Sequence, residues 1–87
     1  MMIPTVHMNG TSKKNLLAEL QEAHVAIEVA IDKLVQVTCH GRDYYPQGPH
    51  AYGQAREEMD RRFQLLQSLQ NDLKLMYEGI DKQGDQG

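Results

Sequence analysis

Apolar residues recur at alternating steps of three and four along residues 13–37, a stretch that contains no Pro or Gly. The stripe consists of Leu17, Leu20, His24, Ile27, Ile31 and Leu34. This spacing places side chains on one face of an α-helix. Ser12 stands just before the stretch, where its side-chain oxygen can accept a free backbone N–H of the first turn. The pattern therefore predicts a helix over residues 13–37 that follows an N-cap at Ser12.

A second stripe with the same spacing predicts another helix over residues 51–79. It consists of Tyr52, Ala55, Met59, Arg62, Leu66, Leu69, Leu73, Met76 and Ile80. We expect Gly79 to end this helix, because glycine readily adopts the left-handed conformation common just after helix C-termini. Residues 81–87 are polar and predict a disordered tail, and residues 1–12 predict a short N-terminal arm with a turn.

Residues 38–50 separate the two helices and contain two glycines and two prolines, which prevent either helix from continuing. Two matched apolar stripes joined by a short link can bury each other only as an antiparallel pair. The predicted fold class is therefore all-α, an antiparallel helical hairpin with an N-terminal arm. A chain of 87 residues buries only about 60 to 65% of its unfolded surface. We therefore expect hairpins to associate into an oligomeric helical bundle.

Each stripe contains one polar residue, His24 in the first and Arg62 in the second. Folding the chain about Tyr44 would place the two residues at similar heights, so we predict a shared polar layer. In one interpretation His24 is a satisfied core histidine, while Arg62 reaches the bundle edge or bonds Glu28 or Asp60. In the other interpretation the layer fixes the register of an oligomer.

The charge balance argues against several classes of partner. The chain has 9 Lys and Arg against 12 Asp and Glu and a net charge of −3, and its basic residues form no run. We therefore expect no binding to the DNA or RNA backbone. A single cysteine, Cys39, rules out an internal disulfide and fits a reducing compartment. No apolar stretch approaches the roughly 18 residues of a membrane span, and the first residues lack the pattern of a signal peptide. The sequence predicts a cytoplasmic protein without membrane contact.

The connecting segment is the strongest candidate for a ligand site, since it is longer and chemically richer than a hairpin connector requires. The guanidinium of Arg42 suits phosphate or carboxylate, and tyrosine rings suit stacking on a nucleobase. We expect these residues to contact a small anionic nucleotide: His40, Arg42, Asp43, Tyr44, Tyr45, Gln47 and Tyr52. In the alternative interpretation, Arg42 pairs locally with Asp43 and a tyrosine closes the open end of the hairpin.

The segment before the first helix is a second candidate, because a helix N-terminus presents free N–H groups to an anion. We expect His7, Asn9, Thr11 and Ser12 to contribute, with plain helix capping as the alternative. A helix of 25 residues separates the two candidate segments by about 35 Å. A joint site would therefore require a second, antiparallel chain, and self-association and ligand binding would then be one event.

Metal binding and catalysis find little support in the sequence. The adjacent Cys39 and His40, with His50 ten residues later, match no compact zinc pattern. A nucleophile at Cys39 would lack a third catalytic group and oxyanion donors. We therefore predict no enzyme activity, no metal and no cofactor.

Two motifs, and a shorter segment that follows them, resemble the sequences of a known group of proteins. The sequence His7-x-Asn-Gly-Thr-Ser12 is followed by His40-Gly-Arg-Asp-Tyr-Tyr-Pro-Gln-Gly48 and by Ala51-Tyr-x-x-Ala-Arg56. This pattern resembles a group of small helical proteins encoded by bacteriophages and prophages, over residues 7 to about 80, with Met8 where Leu is expected. The resemblance implies a phage accessory protein that acts inside a bacterium. In architecture alone, the chain is also similar to phage proteins that sequester the nucleotide signals of bacterial immunity.

These observations lead to two functional hypotheses. In the first, a non-enzymatic homo-oligomer captures a small anionic nucleotide, such as a cyclic oligonucleotide or an ADP-ribose derivative, between its subunits in the host cytoplasm. In the second, the hairpin is a protein-interaction module that inhibits a host protein or serves as a structural adaptor in the phage. Apolar positions outside the helix seam could form that second surface: Leu16, Val25, Val35, Phe63 and Leu65.

Overall fold

A computed structural model describes residues 1–37 and 39–84 of the chain. It contains helix α1 at Lys13–Val35, a 3₁₀ helix at Gly41–Gln47 and helix α2 at Ala51–Asp81. The described part of the chain is helical and has no strand, which confirms the all-α class. None of these helices is both long and apolar enough to cross a membrane.

The two long helices pack against each other along the molecule and run in opposite directions. At one end, Lys13 Nζ donates to the backbone oxygen of Gln83 at 2.7 Å. Further along, the side-chain amide of Gln70 donates to the carboxylate of Glu28. Residue numbers that rise along α1 therefore face numbers that fall along α2, which is the arrangement of an antiparallel hairpin.

The start of α1 agrees with the sequence prediction, and the ends of both helices differ from it. Ser12 Oγ accepts from the backbone N–H of Asn15 at 3.2 Å, so Ser12 is the N-cap. Helix α1 ends at Val35, two residues before the predicted position, and α2 continues to Asp81. Thr38, the first residue of the predicted loop, lies outside the described residues.

Gly79 does not terminate α2, and this prediction was wrong. The helix continues through Gly79 to Asp81, and the N-terminal arm packs on this glycine: a Cβ atom at this position would lie 2.6 Å from Ile3 Cδ1. Gly79 thus allows a close approach of the arm.

The N-terminal arm crosses the open end of the hairpin and is bound there by one side chain. The backbone N–H of Val6 donates to Gln83 Oε1 at 2.7 Å, and Gln83 Nε2 donates to the backbone oxygen of Pro4 at 2.8 Å. Val6 and Ile80 are the buried hydrophobic residues of the described chain, with 4% and 0% of their surface exposed. Gln83, predicted to lie in a disordered tail, is therefore part of the fold. Residues 85–87 of that predicted tail lie outside the described residues.

The hairpin does not fold symmetrically about Tyr44. Pairing of residue 13 with 83 and of residue 28 with 70 places the centre of the fold near residues 48–49. The chain reverses there because Gly48 has φ of 108°, a conformation that favours glycine. Helix α1 therefore ends opposite about residue 62, and the first turns of α2 extend about 16 Å beyond it at 1.5 Å per residue. The 3₁₀ helix packs along this extension.

This register overturns the predicted polar layer. His24 lies beside Leu73 and Tyr77, whereas Arg62 lies beside Val37 near the connecting segment. The two residues occupy different layers because the turn comes after the 3₁₀ helix rather than in its middle. Glu28, a proposed partner of Arg62, instead accepts from Gln70.

We predict that two glycines of α2 respond differently to alanine. A Cβ at Gly53 meets nothing within 4 Å, so Gly53→Ala gains helix propensity and stabilises by up to about 1 kcal/mol. Gly79→Ala has the same intrinsic gain but displaces Ile3, so we expect no net stabilisation and faster amide exchange at Val6. Thermal melting at fixed protein concentration and hydrogen exchange measure both effects. Equal gains in melting temperature with unchanged exchange at Val6 would contradict the packing of Ile3 on Gly79.

Candidate functional site

The connecting segment is folded by its own polar groups. Asp43 Oδ2 accepts from the backbone N–H of His40 at 2.8 Å, and the backbone N–H of Asp43 donates to the oxygen of His40 at 2.9 Å. These two bonds begin the 3₁₀ helix that carries Tyr44. The carboxylate of Asp43, predicted to contact a ligand, is engaged in this turn.

An aromatic wall forms where the 3₁₀ helix meets the start of α2. The ring centroids of Tyr44 and Tyr52 are 6.0 Å apart, with an angle of 41° between the planes. This separation is within the range of favourable aromatic pairs. Gly41 lies against the Tyr52 ring, since a Cβ there would be 3.6 Å from Tyr52 Cδ2. One helical turn later, the guanidinium carbon of Arg56 is 5.9 Å from the Tyr52 centroid, a cation–π distance.

An open cavity of about 220 Å³ lies between this wall, the end of α1 and the extending part of α2. The register of the hairpin creates it, because α1 stops before it can cover the first turns of α2. The lining residues are Val37, Cys39, Tyr44, Tyr52, Ala55, Arg56, Glu58, Met59 and Arg62.

The cavity is locally cationic in an acidic protein. Arg56 and Arg62 contribute two positive charges and Glu58 one negative charge, a sum of +1, whereas the whole chain carries −3. A guanidinium pair beside aromatic faces suits an anion that carries a flat ring, because arginine bonds phosphate oxygens bidentately and the rings stack. Glu58 can accept from an amino group.

The phenol of Tyr44 lies beside the Cys39 side chain in the cavity wall. Its pKa is raised above the usual 10.0, chiefly by its interaction with the Cys39 side chain, and further by desolvation and by the negative charge of Asp43. Arg62 acts in the opposite direction with a smaller effect. Tyr44 therefore keeps its proton at neutral pH.

The structure brings together only part of the predicted loop site. Tyr44 and Tyr52 line the cavity, and Arg62, predicted as a register residue, joins them. The remaining predicted loop residues are exposed and do not line it: His40, Arg42, Tyr45 and Gln47. Sequence reasoning missed Arg56 and Met59 as lining residues. The spacing of Tyr52 and Arg56 could have indicated the former, since residues four apart share a helix face.

The second predicted segment lies at the far end of a molecule 61 Å long. Ser12 Oγ is engaged as the N-cap of α1, as the capping alternative predicts. Gly10 and His7 form a turn in which the Gly10 N–H donates to the His7 oxygen at 3.2 Å. Asn9 and Thr11 are exposed. Within one chain this segment does not meet the loop cavity.

A second, larger cavity of about 320 Å³ flanks the middle of the hairpin. Its lining residues are Leu20, Gln21, His24, Leu73, Lys74, Tyr77 and Glu78. Lys74 and Glu78 balance each other's charge, and one aromatic ring is present. This cavity therefore has fewer groups that could bind an anion than the loop cavity has.

Among residues 1–37 and 39–84, no three side chains of His, Cys, Asp or Glu cluster as metal ligands would.

No protein-family model matches the chain, and searches of curated proteins and of solved structures find no significant match. The resemblance to phage proteins therefore stays a prediction from the two motifs.

Proposed function

We propose that this protein is a non-enzymatic binding protein that sequesters a small anionic nucleotide between the subunits of a homo-oligomer. The observation that supports this function is the loop cavity, where two tyrosine rings and two arginines meet in an otherwise acidic chain. Its ligand would be a cyclic oligonucleotide or an ADP-ribose derivative. In a phage-infected bacterium, removal of such a signal would counteract host defence.

The side chains of the cavity suggest a division of roles. Tyr44 and Tyr52 offer ring faces to a nucleobase, and stacking of this kind contributes about 1 to 3 kcal/mol per base. Arg56 and Arg62 bind phosphate oxygens. Glu58 accepts from an exocyclic amino group and so distinguishes bases that carry one. Arg42, exposed on the 3₁₀ helix that carries Tyr44, would contact a second phosphate outside the cavity.

We predict that Arg62→Ala weakens nucleotide binding about 10- to 100-fold, because hydrogen bonds to charged groups contribute about 1.5 to 3 kcal/mol. Arg61→Ala is the matched control, since Arg61 is the neighbouring, exposed arginine and does not line the cavity. Native mass spectrometry against cyclic di- and trinucleotides and ADP-ribose first identifies a ligand, and calorimetry then compares the variants. Equal losses in the two variants, or no loss in Arg62→Ala, would overturn the role of the cavity.

The alternative function, a protein-interaction module, is favoured by one observation. The Tyr45 side chain is 77% exposed on the 3₁₀ helix, where an aromatic ring is available to a partner surface. This candidate predicts that one identified host or phage protein co-purifies at fixed stoichiometry from infected cells. Tyr45→Ala should abolish that co-purification, while retention of a nucleotide without any protein would argue for sequestration instead.

A further inference from the structure

The single chain exposes more surface than its mass accounts for. A folded monomer of 9.9 kDa is expected to expose about 5,200 Å². This chain exposes 6702 Å², an excess of roughly 1,500 Å². Its radius of gyration is 19.1 Å, against about 12 Å for a compact chain of this length. A standard interface buries about 800 Å² on each partner, so the excess is sufficient for a large interface.

Two exposed leucines of α2 lie on the same flank of the hairpin. At 100° per residue, Leu69 and Leu65 lie about 60° and 100° to one side of Leu66, which faces the seam. They are 48% and 71% exposed. The opposite flank carries the hydrogen bond between Gln70 and Glu28 and the exposed Val35.

Helix α1 continues this apolar flank with small residues. Ala23, Ala26 and Ala30 are exposed and lie about 60° to 120° from the seam residue Leu20, in the same rotational sense as Leu65 from Leu66. Because the helices are antiparallel, the same sense on both corresponds to the same side of the hairpin. Alanines allow a neighbouring helix to approach closely, and leucines fill the space beside them.

We propose that a second copy of this chain covers this flank in a two-fold, antiparallel dimer, and that each loop cavity is completed by the N-terminal arm of the other copy. The occupant is a second copy because the excess surface is more than the roughly 800 Å² that a standard interface buries on each partner, and because a two-fold interface pairs a patch with the same patch of the other copy. The contact makes a four-helix bundle, the smallest assembly that encloses the apolar flank.

The position of the flank determines what the two-fold axis brings together. Leu65, Leu69 and the opposing alanines have their centre near residue 69 of α2. The cavity, between Tyr52 and Arg62, lies about 12 residues from that centre towards the loop, or about 18 Å. In an antiparallel dimer, the cavity of one copy therefore reaches the level of Gln83 of the other copy. Gln83 is the residue that holds the arm.

Charge distinguishes the antiparallel dimer from a parallel one. The antiparallel arrangement brings Arg62 to the level of the second copy's Glu19, which is exposed near the far end of α1. A parallel arrangement would instead place two cationic cavities side by side, and repulsion between their like charges disfavours that arrangement.

The arm supplies what the cavity lacks. A volume of about 220 Å³ is below the roughly 300 Å³ at which ligand pockets begin. It accommodates part of a dinucleotide and leaves the remainder open to solvent. Asn9 and Thr11 of the second copy, exposed in the single chain, are available to bond that remainder. The identity of the ligand rests on the proposed function, whereas the dimer and its geometry do not.

We predict that Leu69→Lys weakens dimerisation at least about 100-fold. The substitution removes a buried apolar side chain from each of the two copies and places two cations near the two-fold axis. Leu75→Lys is the matched control. Leu75 is 45% exposed, close to the 48% of Leu69, but it lies about 180° from the seam and so outside the proposed interface. Light scattering should report twice 9.9 kDa for the natural protein and for Leu75→Lys, and a lower mass for Leu69→Lys. A natural protein that is monomeric, or a Leu69→Lys protein that dimerises as tightly as the control, overturns the interface.

We further predict that Asn9→Cys forms a covalent dimer with Cys39 under mild oxidation by copper phenanthroline. Cys39 is a free, exposed cysteine that lines the cavity. Within one chain α1 separates positions 9 and 39 by about 35 Å, so only the arm of another copy can reach the thiol.

Two control variants make this cross-link specific, and neither requires a ligand. Asn9→Cys with Cys39→Ser removes one partner and should give no dimer on a non-reducing gel. Ser68→Cys carries an exposed thiol on the outer side of α2 and should cross-link only slowly. Cross-linking of Asn9→Cys no faster than Ser68→Cys overturns the composite site even if nucleotide binding is later found, and rapid cross-linking supports it even if no nucleotide binds.

Discussion

The whole structure depends on a limitation of two-helix packing: a hairpin has one seam, and each side chain in it is covered from one direction only. Among the described residues, Val6 and Ile80 are the buried hydrophobic ones, and both lie at the end where the arm crosses the helices. A third layer of chain is needed for full burial. The arm supplies that layer locally, and elsewhere the apolar flank has none. Conformational entropy opposes folding along the entire hairpin, so a core this small is marginal alone.

The connecting segment converts the hairpin into a shape with a cavity. A minimal turn would match the helix lengths and leave both ends flush. Instead, the bonds between Asp43 and His40 wind a 3₁₀ helix, and Gly48 reverses the chain after it. Helix α2 consequently extends beyond α1, and its inward face meets Tyr44 rather than another long helix. The cavity thus follows from a difference in register, which the backbone of the connection determines.

Much of the fold could be predicted from the sequence, because helical periodicity and capping are local properties. The two helices and the N-cap at Ser12 followed from them. The register did not, since it depends on a 3₁₀ helix that contains Pro46 and that residue patterns do not reveal. The prediction that His24 and Arg62 share a layer was wrong for this reason. Gly79 was misjudged for a related reason: whether glycine ends a helix or admits a neighbouring chain depends on Ile3, which is 76 positions away in the chain.

In the proposed dimer, the arm couples assembly to ligand binding. Gln83 fixes the arm to the end of its own hairpin, so in the proposed dimer Asn9 would reach a partner's cavity without a further ordering cost on binding. A ligand held by two chains binds the dimer and not the separated hairpins, and its affinity therefore adds to the free energy of dimerisation. For a chain whose own core is marginal, such a ligand stabilises the fold as well as the assembly. A protein built in this way retains its ligand by requiring the dimer to open before release.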